Sequence, residues 1–241
     1  MKIRFLGTSH GVPLPGRFCQ SILFETEEGL YLVDGGAPVS DLLIREGYDL
    51  TRLRAVFLTH QHSDHMLGLL HLLDLATWYF KEMRFTVYLP EENGPDFFRR
   101  TLTFLEGPLT DRIDYRTYTE GTVLSQGDFT VSAHPTRHIA PRLAYGFLVE
   151  EGERRVYVTG DMRGDLSDFP SEFLKAPLDL LIPECAHCSA EALFALCEET
   201  GARAVAPVHV YPTAKYDTLA ALSEASSKKW IFPNDLDTVA L

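Results

Sequence analysis

The residues best able to do chemistry lie together in one short string, His60-Gln61-His62-Ser63-Asp64-His65. In an extended segment side chains alternate with a period of two, so His60 and His62 share a face and can grip one ion. Asp64 and His65 follow where the strand ends, ahead of a helix from Met66, and turn toward a second position. By composition, an H-x-H-x-D-H string is expected about once per thousand chains like this one, so chance is a poor account of it. Three more apolar runs deliver a His or an Asp at their carboxyl ends. Val131-Ser132-Ala133 leads into His134 and His138, Val156-Tyr157-Val158 into Asp161, and Val205-Ala206-Pro207-Val208 into His209. The carboxyl ends of strands are where α/β sheets place their sites. His134, which closes its run, and His138, four residues on, compete for one place in the set. Imidazoles and carboxylates without thiolate suit two divalent ions of the Zn²⁺ kind, with Mn²⁺ or Fe as alternatives.

Positioning these groups requires strands that end on them and helices that fold back. Short β-branched or aromatic runs bounded by Gly, Pro or Asp predict strands over residues 2–6, 20–25, 30–33, 55–58, 86–89 and 113–118. The same signal recurs over 129–133, 144–149, 155–158, 178–182, 204–208 and 230–232. Helical periodicity is clearest over 38–46, 66–80, 96–105, 190–200 and 213–226. Strand groups occur in both halves, each interleaved with helices, and no Pro/Gly/Ser-rich linker divides them. The fold class expected is α/β, in a single domain over 1–241.

The 241 residues, 45% of them hydrophobic and 23% charged, exclude disorder, collagen-like order and a small disulfide-stapled fold. The formal net charge of −12 disfavours long nucleic acid, whose affinity comes largely from phosphates neutralised by Lys and Arg. It does not disfavour a small anionic substrate when the site carries its own positive charge. The four cysteines, Cys19, Cys185, Cys188 and Cys197, suit a reducing compartment, and Cys185-Ala186-His187-Cys188 has no second pair to make a metal knuckle. The N-terminus reads as a strand rather than an export signal, and no run reaches the ~18 apolar residues of a membrane span. A cytoplasmic protein without a membrane partner is expected. The sequence is also compatible with a homodimer.

The chain resembles the metallo-β-lactamase superfamily, and within it the ribonuclease Z-like and cyclic-phosphodiesterase branch. The likeness rests on Phe5-Leu6-Gly7-Thr8-Ser9-His10-Gly11-Val12-Pro13, Gln20-Ser21-Ile22-Leu23, Leu32-Val33-Asp34-Gly35-Gly36 and the histidine string followed by Leu67-Gly68-Leu69. Gly160-Asp161, Asp179-Leu180-Leu181-Ile182 and Val208-His209 extend it over most of the chain. The resemblance implies an αββα sandwich, two mixed β-sheets flanked by helices. It also implies that His60, His62 and His138 hold one metal and Asp64, His65 and His209 the other, with Asp161 bridging. Matching the spacing to Tyr145-Gly146-Phe147 favours His138 over His134. Asp34 then buttresses a ligating histidine.

Such a site generates a hydroxide between two metals at neutral pH. Two Zn²⁺ and two Asp ligands leave a local charge of about +2, which suits attack on a small, cyclic phosphodiester. Asp64 and His187 are the catalytic candidates. His187, in a string resembling the family's acid-bearing element, would protonate the leaving oxygen. Arg137 or Arg142 is available to hold a phosphate. The family's transfer-RNA-processing enzymes carry a long basic arm between the bridging Asp and the acid His, whereas residues 161–187 here form a short connection without a basic run. Hydrolysis of a thioester or lactone on the same two metals is the alternative, and a metal-binding interaction module is the non-enzymatic one.

Overall fold

A computed structural model describes every residue except Pro13 and Leu109, so Pro13 of the N-terminal string lies outside the described residues. The contacts divide the chain into two compact units, Met1–Tyr118 with Asn234–Ala240, and Thr119–Pro233 with Leu241.

The first unit contains β1 (Lys2–Gly7), β2 (Ser21–Glu25), β3 (Leu30–Val33), α1 (Val39–Arg45), β4 (Leu53–Phe57), α2 (Ser63–Trp78), β5 (Phe85–Leu89), α3 (Gly94–Phe104) and β6 (Ile113–Thr117). Its sheet runs terminal strand Thr238–Ala240, β1, β2, β3, β4, β5, β6. Strands β1, β2 and β3 are antiparallel, β2 and β3 joined by a short turn, while each later step is a parallel crossover through a helix. Strands buried on both faces read as continuous apolar runs, as β3 does with all four residues Leu30–Val33 buried. Helix α2 buries Met66, Leu69, Leu72, Leu73 and Ala76 in the core of this unit, a three-and-four spacing along one side. Each such leucine contributes roughly 1.5–3 kcal/mol through burial.

The second unit contains β7 (Gly121–Gln126), β8 (Phe129–Thr136), β9 (Ala144–Glu151), β10 (Arg154–Val158), β11 (Leu178–Ile182), β12 (Glu184–Cys185), α4 (Ala190–Glu199), β13 (Ala202–Val205), β14 (Val208–Val210), α5 (Ala214–Ser223) and β15 (Lys229–Trp230). Its main sheet has the order β15-β13-β11-β10-β9-β8-β7 and follows the same plan: an antiparallel meander β7 to β10, then parallel pairing through β11, β13 and β15. Beyond β11 and β13, the chain continues into a separate parallel pair, β12 with β14. The α/β class and the two mixed sheets with their helices are therefore as expected.

Several boundaries differ from the sequence reading. The strand expected over 204–208 is two strands, because Pro207 has no N–H to continue the ladder and separates β13 from β14. Strand β4 ends at Phe57, so His60 and His62 sit in an irregular segment and period-two alternation does not orient them. Helix α2 begins at Ser63 rather than Met66, which puts Asp64 and His65 in its first turn. Strand β8 runs through Thr136, so His134 lies within it, opposite Gly146. Strand β7 carries no clear alternation and no fully buried residue, so its sequence gives no strand signal.

Candidate metal centre

In the first unit the site is built around Asp34, the residue after β3. Asp34 is fully buried and adopts a left-handed backbone, φ 61°. A non-glycine residue there costs free energy and persists where its surroundings fix it. Here the surroundings are hydrogen bonds to its carboxylate. Oδ1 accepts from the backbone N–H of Thr59 at 2.9 Å and from its hydroxyl at 3.0 Å, and Oδ2 lies 2.8 Å from Nδ1 of His65. A carboxylate only accepts, so His65 donates from Nδ1, and Nε2 is the atom that could hold a metal. The Thr59 hydroxyl lies 3.1 Å from Nδ1 of His60 and orients that ring in the same sense. The His60 ring centroid is 4.6 Å from that of His62 and 4.2 Å from that of His65. His60 and His65 are fully buried, while His62 is exposed.

Close approach of α2 to the end of β3 is what brings Asp64 and His65 to Asp34. The Gly35 N–H donates to the His65 carbonyl at 2.7 Å, and the Leu69 N–H donates back to the Gly35 carbonyl at 2.9 Å. A Cβ on Gly36 would lie 2.3 Å from the Asp64 carbonyl oxygen, and one on Gly68 would lie 2.4 Å from the Gly36 carbonyl oxygen. Only glycine fits at either position.

In the second unit Asp161 is the hub. It follows Gly160, whose φ of 58° turns the chain sharply after β10, and its carbonyl accepts from the Thr136 hydroxyl at 2.8 Å. Its carboxylate is buried. Oδ2 stands 3.5 Å from Nε2 of His138, and Oδ1 stands 3.6 Å from Nδ1 of His209. In the first unit, Asp64 Oδ2 is 3.6 Å from His65 Nε2. These separations exceed the ~2.9 Å of an ordinary N–H···O bond. They match the roughly 3.4 Å between two donors that share a tetrahedral ion at about 2.1 Å. The donor set and its spacing thus fit a divalent metal. Within this unit, ligand atoms of Asp161, His187 and His209 lie within 4.8 Å of one another.

His187 is half-buried, its ring centroid 4.3 Å from that of His138 and 5.9 Å from that of His209. Glu184 holds it, a buried residue that the sequence reading missed. Oε1 of Glu184 is 3.1 Å from Nδ1 of His187, and Oε2 accepts the backbone N–H groups of Ala186 at 2.6 Å and His187 at 3.2 Å. The available signal was a carboxylate directly after the apolar run Leu180-Leu181-Ile182-Pro183. His134 lies elsewhere. Its Nδ1 is 3.2 Å from Glu172 Oε1, its ring packs edge-on to Phe173 and Tyr157, and burial lowers its pKa. Arg137 lines a cavity of about 600 Å³ with His138, Met162, Arg163 and His187, and Arg142 is not part of that lining. Cys185 and Cys188 are buried, and both are free cysteines.

The fold is that of the metallo-β-lactamase proteins, in the ribonuclease Z-like branch of the superfamily. The chain belongs to the family described as anti-Pycsar protein Apyc1, whose model matches residues 1–201. Among curated proteins it is 31% identical over 177 residues to ribonuclease BN of Cronobacter sakazakii, which covers 69% of this chain and 57% of that protein. The chain spans about half the length of the curated relatives it matches. Its fold recurs among solved structures, two of which illustrate the likeness. The metallo-β-lactamase fold protein YhfI of Bacillus subtilis is 21% identical, with a TM-score of 0.81 over 99% of both chains. The short form of human tRNase Z is 20% identical, with a TM-score of 0.78 over 100% of this chain and 99% of that one.

Proposed function

We propose that the chain is a two-metal phosphodiesterase acting on a small, cyclic phosphodiester, with both units serving one hydrolase domain in the cytoplasm. His60, His62 and His138 would hold one ion and Asp64, His65 and His209 the other, with Asp161 shared between them. The observation that carries this reading is Asp161, a buried carboxylate whose two oxygens are directed at the imidazoles of two different segments at 3.5 and 3.6 Å. Five imidazoles and two carboxylates favour Zn²⁺. When bound, two such ions would supply Lewis acidity and lower the pKa of water toward neutrality.

The chain's own residues divide the remaining work. Asp64 has a second carboxylate oxygen with which to accept a proton from the attacking water. As the water oxygen bonds to phosphorus, the bond to the leaving oxygen breaks, and that oxygen needs a proton. His187 would donate it from Nε2, because Glu184 engages Nδ1. Arg137, at the edge of the adjoining cavity, is the group available to an anionic portion of the substrate. The ribonuclease names of the relatives also refer to enzymes of phosphodiester bonds. The net charge of −12 argues for a small substrate over long nucleic acid.

The test is hydrolysis of bis(p-nitrophenyl) phosphate and of cyclic nucleotides, beside a thioester and a lactone, with metal counted on the same sample. Two metals per chain with phosphodiester turnover is the expected result. Turnover of the thioester or lactone alone would move the chain to carboxylic-ester chemistry. A chain that takes up no metal and turns over nothing would be a binding module instead.

A further inference from the structure

We infer that Lys215 is a positioning residue for His187, its ammonium clamping the loop that presents this imidazole; the inference rests on the reading of His187 as the proton donor. Nζ of Lys215 donates to the carbonyl oxygens of Cys185 at 2.9 Å, Ala186 at 2.9 Å and Cys188 at 2.6 Å. An ammonium has three protons and no acceptor, so these three bonds use its full donor capacity. Lys215 is therefore not a substrate-binding cation. The carbonyls it holds flank His187 on both sides, and Glu184 holds the same loop by two of its N–H groups. One carboxylate thus gathers the donors of the loop and one ammonium gathers its acceptors.

The position of Lys215 supports this role. It lies in the first turn of α5, where a cation opposes the helix dipole and costs about 0.3–1 kcal/mol. Helix stability does not account for a lysine there, and the loop does. Lys215 also follows His209 by six residues, on the segment leaving β14. Strands β12 and β14 pair in parallel, with Glu184 opposite Val208 and Cys185 opposite Val210. The clamp therefore ties the carrier of His187 to the carrier of His209, and it fixes the distance between their rings.

The deciding experiment measures hydrolysis of a series of phosphodiesters by the metal-loaded chain, as Lys215→Met, Lys215→Arg, His187→Ala and the unaltered protein. A p-nitrophenolate departs without a proton and an alkoxide needs one, so the slope of log kcat against leaving-group pKa reports the donor. Lys215→Met should keep its metals and stay within about two-fold on the p-nitrophenyl ester, while losing roughly 10- to 100-fold on alkyl esters. Lys215→Arg keeps the charge but not the compact three-donor head, and should fall between. Equal losses on both ester classes, or a slope like that of the unaltered protein, would overturn the assignment. If Lys215→Met does not fold, the slope of Lys215→Arg decides in the same way. A steep slope for His187→Ala with a normal one for Lys215→Met defeats the clamp alone. A normal slope for His187→Ala defeats the proton-donor reading beneath it.

Discussion

Asp34 would not need to touch a metal to control one. Its carboxylate sets the ring of His65 directly and that of His60 through Thr59. Substitutions of such supporting groups typically cost 10–100-fold in metal affinity. Asp34→Asn tests this with little backbone change, because asparagine tolerates the left-handed φ of 61° found there. Metal affinity measured by competition with a chromogenic chelator should fall roughly 10- to 100-fold, with the circular dichroism spectrum retained. An unchanged affinity would sink the supporting role. The contiguous string from His60 to His65 was legible in the sequence because four ligand-type residues sit within six positions. Glu184 and Lys215 were not legible. A carboxylate after an apolar run reads as a strand end and a lysine at a helix start as a solvated face, and only the fold gives them a common loop to hold.

Among the elements, glycines decide how near the first turn of α2 comes to the end of β3. Gly36 and Gly68 face each other across that contact, and neither has room for a methyl group. Gly68→Ala should force the helix outward. Overpacking of this kind costs about 1–3 kcal/mol. For a chain of this size, that corresponds to a fall in melting temperature of roughly 2–12 °C. Metal affinity should fall with it, since Asp64 and His65 ride on the displaced turn. Calorimetry together with metal titration reads both effects, and a mutant with unaltered melting and affinity would show the contact to be slack. Most elements could be read from periodicity, because apolar runs here carry their own boundaries in Gly, Pro and Asp. Strand β7 could not, since its pairing with β8 is set by a register seen only in three dimensions. The apolar pattern of β4 runs one residue past the strand's end. The strand stops at Phe57, and hydrogen bonds to Asp34 and Thr59, rather than strand alternation, orient the rings beyond it.

For the whole molecule, the dominant fact is a strongly acidic chain that gathers histidines. Among the described residues no helix is long and apolar enough to cross a membrane. Under the proposed reading, seven side chains would hold the two ions, so bound metal should stabilise the folded chain. A ligand present at a thousand times its Kd stabilises the folded state by about 4 kcal/mol. At 2–4 °C per kcal/mol for a chain of this length, full chelation should lower the melting temperature by about 10 °C. Added Zn²⁺ should restore it. Asp161→Ala deletes the carboxylate assigned to both ions, and it should melt near the chelated protein and gain nothing from Zn²⁺. Scanning calorimetry of the two proteins, with and without chelator, makes the comparison. If chelation leaves the melt unchanged, or if Asp161→Ala responds to zinc as the unaltered chain does, the ions are not held as proposed. The buried Asp161 and His209 would then need another reason to lie 3.6 Å apart.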